Sequence, residues 1–104
     1  MLVAAALSSI ALPVLGEASG RDIYVDTCIA CHGPDGQGAL PGVPDLVALD
    51  WRAGGDDATL LRRVREGFRR PGSPLAMPPK GGNPALTDAD LRAVLDYMKN
   101  MLAR

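Results

Sequence analysis

Large rings are scarce in this chain: one Trp, two Tyr and one Phe among 104 residues. Aromatic side chains supply the most buried area each, so the protein part of any core here is thin. Cysteine is equally rare. Cys28 and Cys31 are the only two, which excludes a scaffold stapled by several disulfides. There is a single histidine, His32. Charge of one sign is not in excess either, with 11 basic against 12 acidic residues and a formal net charge of −1. That balance argues against a nucleic-acid partner, which calls for a basic surplus. No hydrophobic run is long enough to span a bilayer comfortably. Residues 2–15 are apolar but are broken by Ser8, Ser9 and Pro13, and a span needs about 20 apolar positions. Hydrophobic residues nevertheless reach 47%, which excludes a disordered chain. The length bounds the molecule to one small domain, and such domains usually need help to be stable. Something other than side chains is expected to fill the centre.

Residues 1–16 carry no charged side chain, and small residues follow at Gly16 and Ala18. This pattern suits a secretory leader cleaved around residues 16–19, although no Lys or Arg precedes the apolar stretch. We therefore expect a leader over residues 1–18 and the folded domain over 19–104. An uncleaved anchor and an ordinary buried helix are the alternatives.

The domain reads as helix, long loop, helix, long loop, helix. Ser19 followed by Asp22 predicts a capped start for the first helix, which runs through Ile23, Tyr24 and Val25 to the Cys28 region. Glycines and prolines crowd residues 33–50 and forbid a long regular element there. A second helix is expected from Asp56 or Asp57, with Leu60, Leu61, Val64 and Phe68 on one face. Residues 69–85 hold five prolines and three glycines, another demanding loop. Thr87 then predicts a cap for a last helix, with Asp88 and Asp90 at its positive end. Leu91, Val94, Leu95, Met98 and Leu102 form its apolar stripe. No strand pattern and no repeat is visible. The fold class is all-α.

Chemistry is concentrated in Cys28-Ile29-Ala30-Cys31-His32. C-x-x-C-H is the attachment signature of c-type haem. On a helical turn these three side chains share one face, so two thiols can meet the two vinyl groups along a haem edge. His32 is then delivered to the iron from the same side. A dithiol redox pair would need a βαβ setting that is missing here. Structural zinc would need a fourth ligand, and a plain disulfide explains neither His32 nor the thin core.

The sixth iron position is expected to fall to Met77. It stands in a proline-rich stretch, Leu75-Ala76-Met77-Pro78-Pro79, 45 residues after His32. Prolines limit the freedom of that loop and hold the thioether at low entropic cost. Met1 lies in the expected leader, Met98 in the apolar stripe of the last helix, and Met101 near the C-terminal end. Methionine opposite histidine raises the reduction potential and closes the iron to oxygen or peroxide.

On these motifs, residues 20–102 resemble a bacterial class I cytochrome c, and MPPKGG at 77–82 looks like the small subgroup carrying that loop. The resemblance implies three to four helices and long loops wrapped around one covalent haem, in a periplasmic single-electron carrier. It implies that Gly20 and Tyr24 pack across the last helix, near Tyr97; the plainer reading is that Gly20 merely begins a helix. It also implies that the carbonyl of Pro44 accepts a hydrogen bond from the second ring nitrogen of His32. Leu46 would pack on the haem face. Trp51 is a candidate donor to a haem carboxylate, or ordinary packing.

Arg62, Arg65 and Arg69 form a basic stripe, with Arg63, Arg70 and Lys80 beside it. Near a haem edge such a stripe would steer an acidic redox partner; the alternative is a solvated face with Arg63 paired to Glu66. The expected partners are a dehydrogenase, a quinol-oxidising complex or a terminal oxidase, met by a monomeric carrier. A haem enzyme of the peroxidase kind and a gas sensor are the competing classes. Both need a labile sixth ligand, which Met77 disfavours.

Overall fold

The computed structural model describes residues 19–49 and 55–102, and among these the regular elements are helices. The leader and Trp51 lie outside the described residues.

Ser19 starts the first helix by accepting the Asp22 N–H on its hydroxyl at 3.1 Å. The chain then winds through α1 (Gly20–Ile23), a π-helical stretch (Tyr24–Cys28) and α2 (Ile29–His32). A π turn widens the helix and re-aims the side chains that follow, and such turns gather at functional sites. Here it leads directly into the cysteine–histidine turn. Gly33, at φ 80°, ends the winding.

The last helix, α5 (Asp88–Met101), carries a complete capping box. Asp90 N–H donates to the Thr87 hydroxyl at 3.1 Å, and Thr87 N–H donates to the Asp90 carboxylate at 2.9 Å. Its expected stripe is buried throughout: Leu91, Val94, Leu95, Met98 and then Leu102.

α1 lies directly on α5. A Cβ on Gly20 would run into the carbonyl of Ala93 and come within 2.9 Å of Tyr97 Cβ. So glycine here serves the crossing, not only the helix start. Tyr24 is 1% exposed, and its ring centroid lies 5.7 Å from that of Tyr97 with the planes at 54°. Such a tilted pair adds to the area it buries. The Tyr24 hydroxyl donates to the Gly33 carbonyl at 2.5 Å, tying the crossing to the end of α2.

A short helix that the sequence reading did not foresee, α3 (Leu46–Leu49), follows Pro44. The Asp45 carboxylate nucleates it by accepting from the Val47 and Ala48 N–H groups at 3.0 and 3.2 Å. The turn puts Leu46 into the core at 8% exposure.

α4 (Asp57–Glu66) is capped by Asp56, whose carboxylate accepts from Thr59 N–H at 2.9 Å. It buries Leu60 and Leu61. The helix stops at Glu66, and Gly67 at φ 85° turns the chain away. Phe68, expected on the helical face, instead pairs with Met77 in an isolated antiparallel bridge. Lys99 reaches from α5 to Asp57 at 2.7 Å, and Arg65 to Asp88 at 3.2 Å. Both pairs are partly solvated and hold orientation more than they stabilise.

Candidate cofactor site

The described helices and loops line a cavity of about 670 Å³. That is the size of a cofactor site rather than a packing defect. The six side chains singled out by sequence all line it: Cys28, Cys31, His32, Pro44, Leu46 and Met77. The rest of its wall is chiefly aliphatic, with Leu60, Val64, Val94, Leu95 and Met98 from α4 and α5. Met98 thus belongs both to the core stripe and to the cavity wall.

The cysteine–histidine turn is held by the loop that follows it. Gly38 N–H donates to the His32 carbonyl and Ala39 N–H to that of Cys31, each at 2.8 Å. The His32 ring is buried, which moves its pKa down from the usual histidine value, so the imidazole is neutral at pH 7. Neutral imidazole is the metal-ligating form. Among the described residues, His32 Nδ1 is the one buried side-chain nitrogen or oxygen without a hydrogen-bond partner. The bond to the Pro44 carbonyl implied by the family resemblance is therefore not formed in this structure. That carbonyl oxygen lies instead against Gly38, 3.4 Å from where a Cβ would stand. An unsatisfied buried nitrogen costs about 1–3 kcal/mol, so an isolated protein core would not select it.

Cys28 and Cys31 are free thiols. Burial, and then the neighbouring Cys31, pushes the Cys28 thiol up to about 11. A dithiol oxidoreductase depends on the opposite shift, toward a reactive thiolate. Among the described residues no three His, Cys, Asp or Glu side chains gather as a metal-binding group of the kind structural zinc needs.

Met77 is fixed by its backbone. Phe68 N–H donates to the Met77 carbonyl at 3.0 Å, and Met77 N–H donates back to the Phe68 carbonyl at 2.8 Å. Gly67 permits that approach, since a Cβ there would stand 2.8 Å from the Met77 carbonyl oxygen. Beyond Met77 a 3-10 turn (Pro79–Gly82) follows, in which Lys80 adopts φ 55°, a left-handed conformation rare outside glycine. Phe68 is the residue that sequence reasoning misplaced. The signal available for it was Gly67, which ends the helix before Phe68 can join its face.

The arginines divide differently from the sequence expectation. Arg63 does not pair with Glu66. Its guanidinium lies 4.4 Å from the centroid of the Phe68 ring, and its side chain lines the cavity. Arg65 makes the ion pairs, with Asp88 at 3.2 Å and Glu66 at 4.0 Å.

An aliphatic cavity holding a neutral orphan imidazole, two thiols one helical turn apart and a clamped thioether fits one kind of group. It suits an apolar macrocycle carrying a metal, which His32 and Met77 could ligate and the two thiols could anchor. The comparisons with known proteins agree. Residues 16–98 match the family described as cytochrome c oxidase, cbb3-type, subunit III. The cbb3-type cytochrome c oxidase subunit CcoP of Cereibacter sphaeroides is 40% identical over 85 residues, which is 81% of this chain and 27% of the relative. Cytochrome c-554(548) of Halomonas halodenitrificans is 34% identical over 86 residues, covering 79% of this chain and 93% of its own length. A lupanine 17-hydroxylase [cytochrome c] of a Pseudomonas species is 40% identical over 81 residues, which is 10% of that protein. The chain spans little more than a quarter of the CcoP relatives it matches. No solved structure matches.

Proposed function

Since the chain belongs to the cbb3-type cytochrome c oxidase subunit III family, it is a c-type haem protein that carries electrons, and we propose that Cys28, Cys31, His32 and Met77 hold that haem. The observation that carries this reading is that all four line one apolar cavity. The iron supplies one-electron exchange between its ferric and ferrous forms.

The chain's own residues do the rest. Cys28 and Cys31 would anchor the group, each S–H adding across one of its vinyl double bonds to give a thioether. His32 presents a neutral nitrogen from the same turn. Met77, held in place by the Phe68 bridge, would supply a thioether ligand to the metal and so keep small molecules off it. The aliphatic wall from α4 and α5 excludes water, which favours the less charged ferrous form. Pro44 and Leu46 would add apolar wall to the site, Leu46 from the first turn of α3.

This reading makes the protein a carrier and not an enzyme. Its redox partners are of the terminal-oxidase class, supported by the CcoP relatives. Residues 1–18 act as an export leader that delivers the domain to the periplasm. Among the described residues no helix is long and apolar enough to cross a membrane. One relative favours a second reading, in which the domain passes electrons for an oxidising enzyme, as the name of the lupanine hydroxylase suggests.

The test is Met77→Ala. Its reduction potential falls, and its ferrous form takes up carbon monoxide. An unchanged potential without ligand uptake would overturn the assignment of Met77.

A further inference from the structure

The cavity wall has a polarity that haem ligation does not use. Among the described residues no aspartate or glutamate lines it, yet two arginines do, Arg63 and Arg70. Arg63 is half-buried, with its guanidinium over the Phe68 ring at 4.4 Å. Arg70 stands at the exposed end of the same wall. Among the described residues neither has a carboxylate partner, whereas Arg65 on the same helix pairs with Asp88 at 3.2 Å. A half-buried guanidinium in an apolar wall is stabilised by an anion, so the Arg63 side of this cavity favours a ligand that brings its own negative charge.

Haem brings two carboxylates. The geometry points to Arg63 and Arg70 as the residues that bind the propionate carboxylates of the haem, with Phe68 carrying Arg63 in position. This rests on the haem reading above and adds the anionic end of the site to it. The planar fork of arginine matches a carboxylate with two parallel N–H···O bonds. Phe68 would then serve the site twice. Its backbone clamps Met77, and its ring supports the guanidinium by a cation–π contact. Arg63 is thereby a positioning and charge-compensating group. In a low-dielectric cavity, a cation paired to a propionate removes negative charge that would otherwise stabilise ferric iron, and so holds the potential up.

The experiment compares purified holoproteins: wild type, Arg63→Leu, Arg63→Lys, Arg70→Leu and Arg62→Leu. Arg62 is exposed on the same helix and does not line the cavity, so it controls for loss of a surface charge. Two readouts are taken, the midpoint potential by equilibrium titration and the propionate bending bands by resonance Raman. Arg63→Leu shifts a propionate band and lowers the potential several times more than Arg62→Leu does. Arg70→Leu shifts a band in the same sense, and Arg63→Lys restores most of the potential without restoring the wild-type band. Bands and potential of Arg63→Leu equal to those of Arg62→Leu overturn the inference. Should Arg63→Leu yield no holoprotein, Arg63→Gln is read by the same two measurements. A wild-type protein that lacks a haem spectrum would refute the haem reading itself, which is a distinct result.

Discussion

Replacing Gly67 by alanine tests how the Met77 loop is held. Gly67 sits at φ 85°, ψ 163°, a region that residues with a Cβ enter at a cost of about 1–3 kcal/mol. The added Cβ would also stand 2.8 Å from the Met77 carbonyl oxygen and 3.1 Å from the Pro79 ring. Neither contact is the free end of a flexible side chain. Relief therefore requires the Met77 carbonyl to move, which breaks the 3.0 Å bond from Phe68 N–H and forfeits about 1 kcal/mol. The combined penalty is about 3 kcal/mol. At about 1.4 kcal/mol per decade, the loop would open on the order of 100-fold more often. The assay is carbon monoxide uptake by the ferrous protein. Gly72→Ala is the matched control, because Gly72 also has positive φ, 80°, but a Cβ there meets nothing within 4 Å. Gly67→Ala takes up carbon monoxide markedly faster than wild type, and Gly72→Ala does not. Equal uptake by the two variants would refute the argument that Gly67 and the Phe68 bridge secure Met77.

Gly20→Ala tests the helix crossing. Alanine ordinarily improves a helix by up to about 1 kcal/mol, but here its Cβ meets the Ala93 backbone, and overpacking of this kind costs about 1–3 kcal/mol. The thermal midpoint falls by roughly 5 °C; a midpoint at or above that of wild type contradicts the close approach. Alkaline pH addresses Tyr24. Burial pushes its phenol from 10.0 up to about 12, so the folded state resists its ionisation. Stability from Tyr24 is fully present below pH 10 and is lost as pH rises from there toward about 12. Denaturant unfolding between about pH 8 and 11 shows that loss in wild type and a flatter profile in Tyr24→Phe, and identical slopes would refute the linkage.

Much of this arrangement is legible in the sequence because it depends on local rules. The caps at Ser19 and Thr87 were readable from residue type, since each side chain bonds an N–H three residues on. The buried stripe of α5 follows from helical periodicity. The cysteine–histidine turn carries its chemistry in its spacing. What the sequence hid depends on contacts between distant segments. Periodicity placed Phe68 on a helix, but the pull of the Met77 backbone and the freedom of Gly67 took it into a bridge. Arg63 and Glu66 look like a helical ion pair by spacing. The Phe68 ring and the cavity draw Arg63 the other way. The short helix at Leu46 was hidden among turn residues, because a single aspartate, Asp45, nucleates it. The hydrogen bond from His32 to Pro44 came from family likeness alone, and the structure leaves His32 Nδ1 without it.

The absorption spectrum of the purified protein bears most directly on the central claim, that Cys28, Cys31, His32 and Met77 hold one closed haem. The account predicts a weak far-red band in the ferric protein, from methionine sulfur to iron, and a ferrous spectrum that carbon monoxide leaves unchanged. A high-spin ferric spectrum, or a ferrous spectrum that shifts with carbon monoxide, would contradict it and bring the enzyme and sensor readings forward.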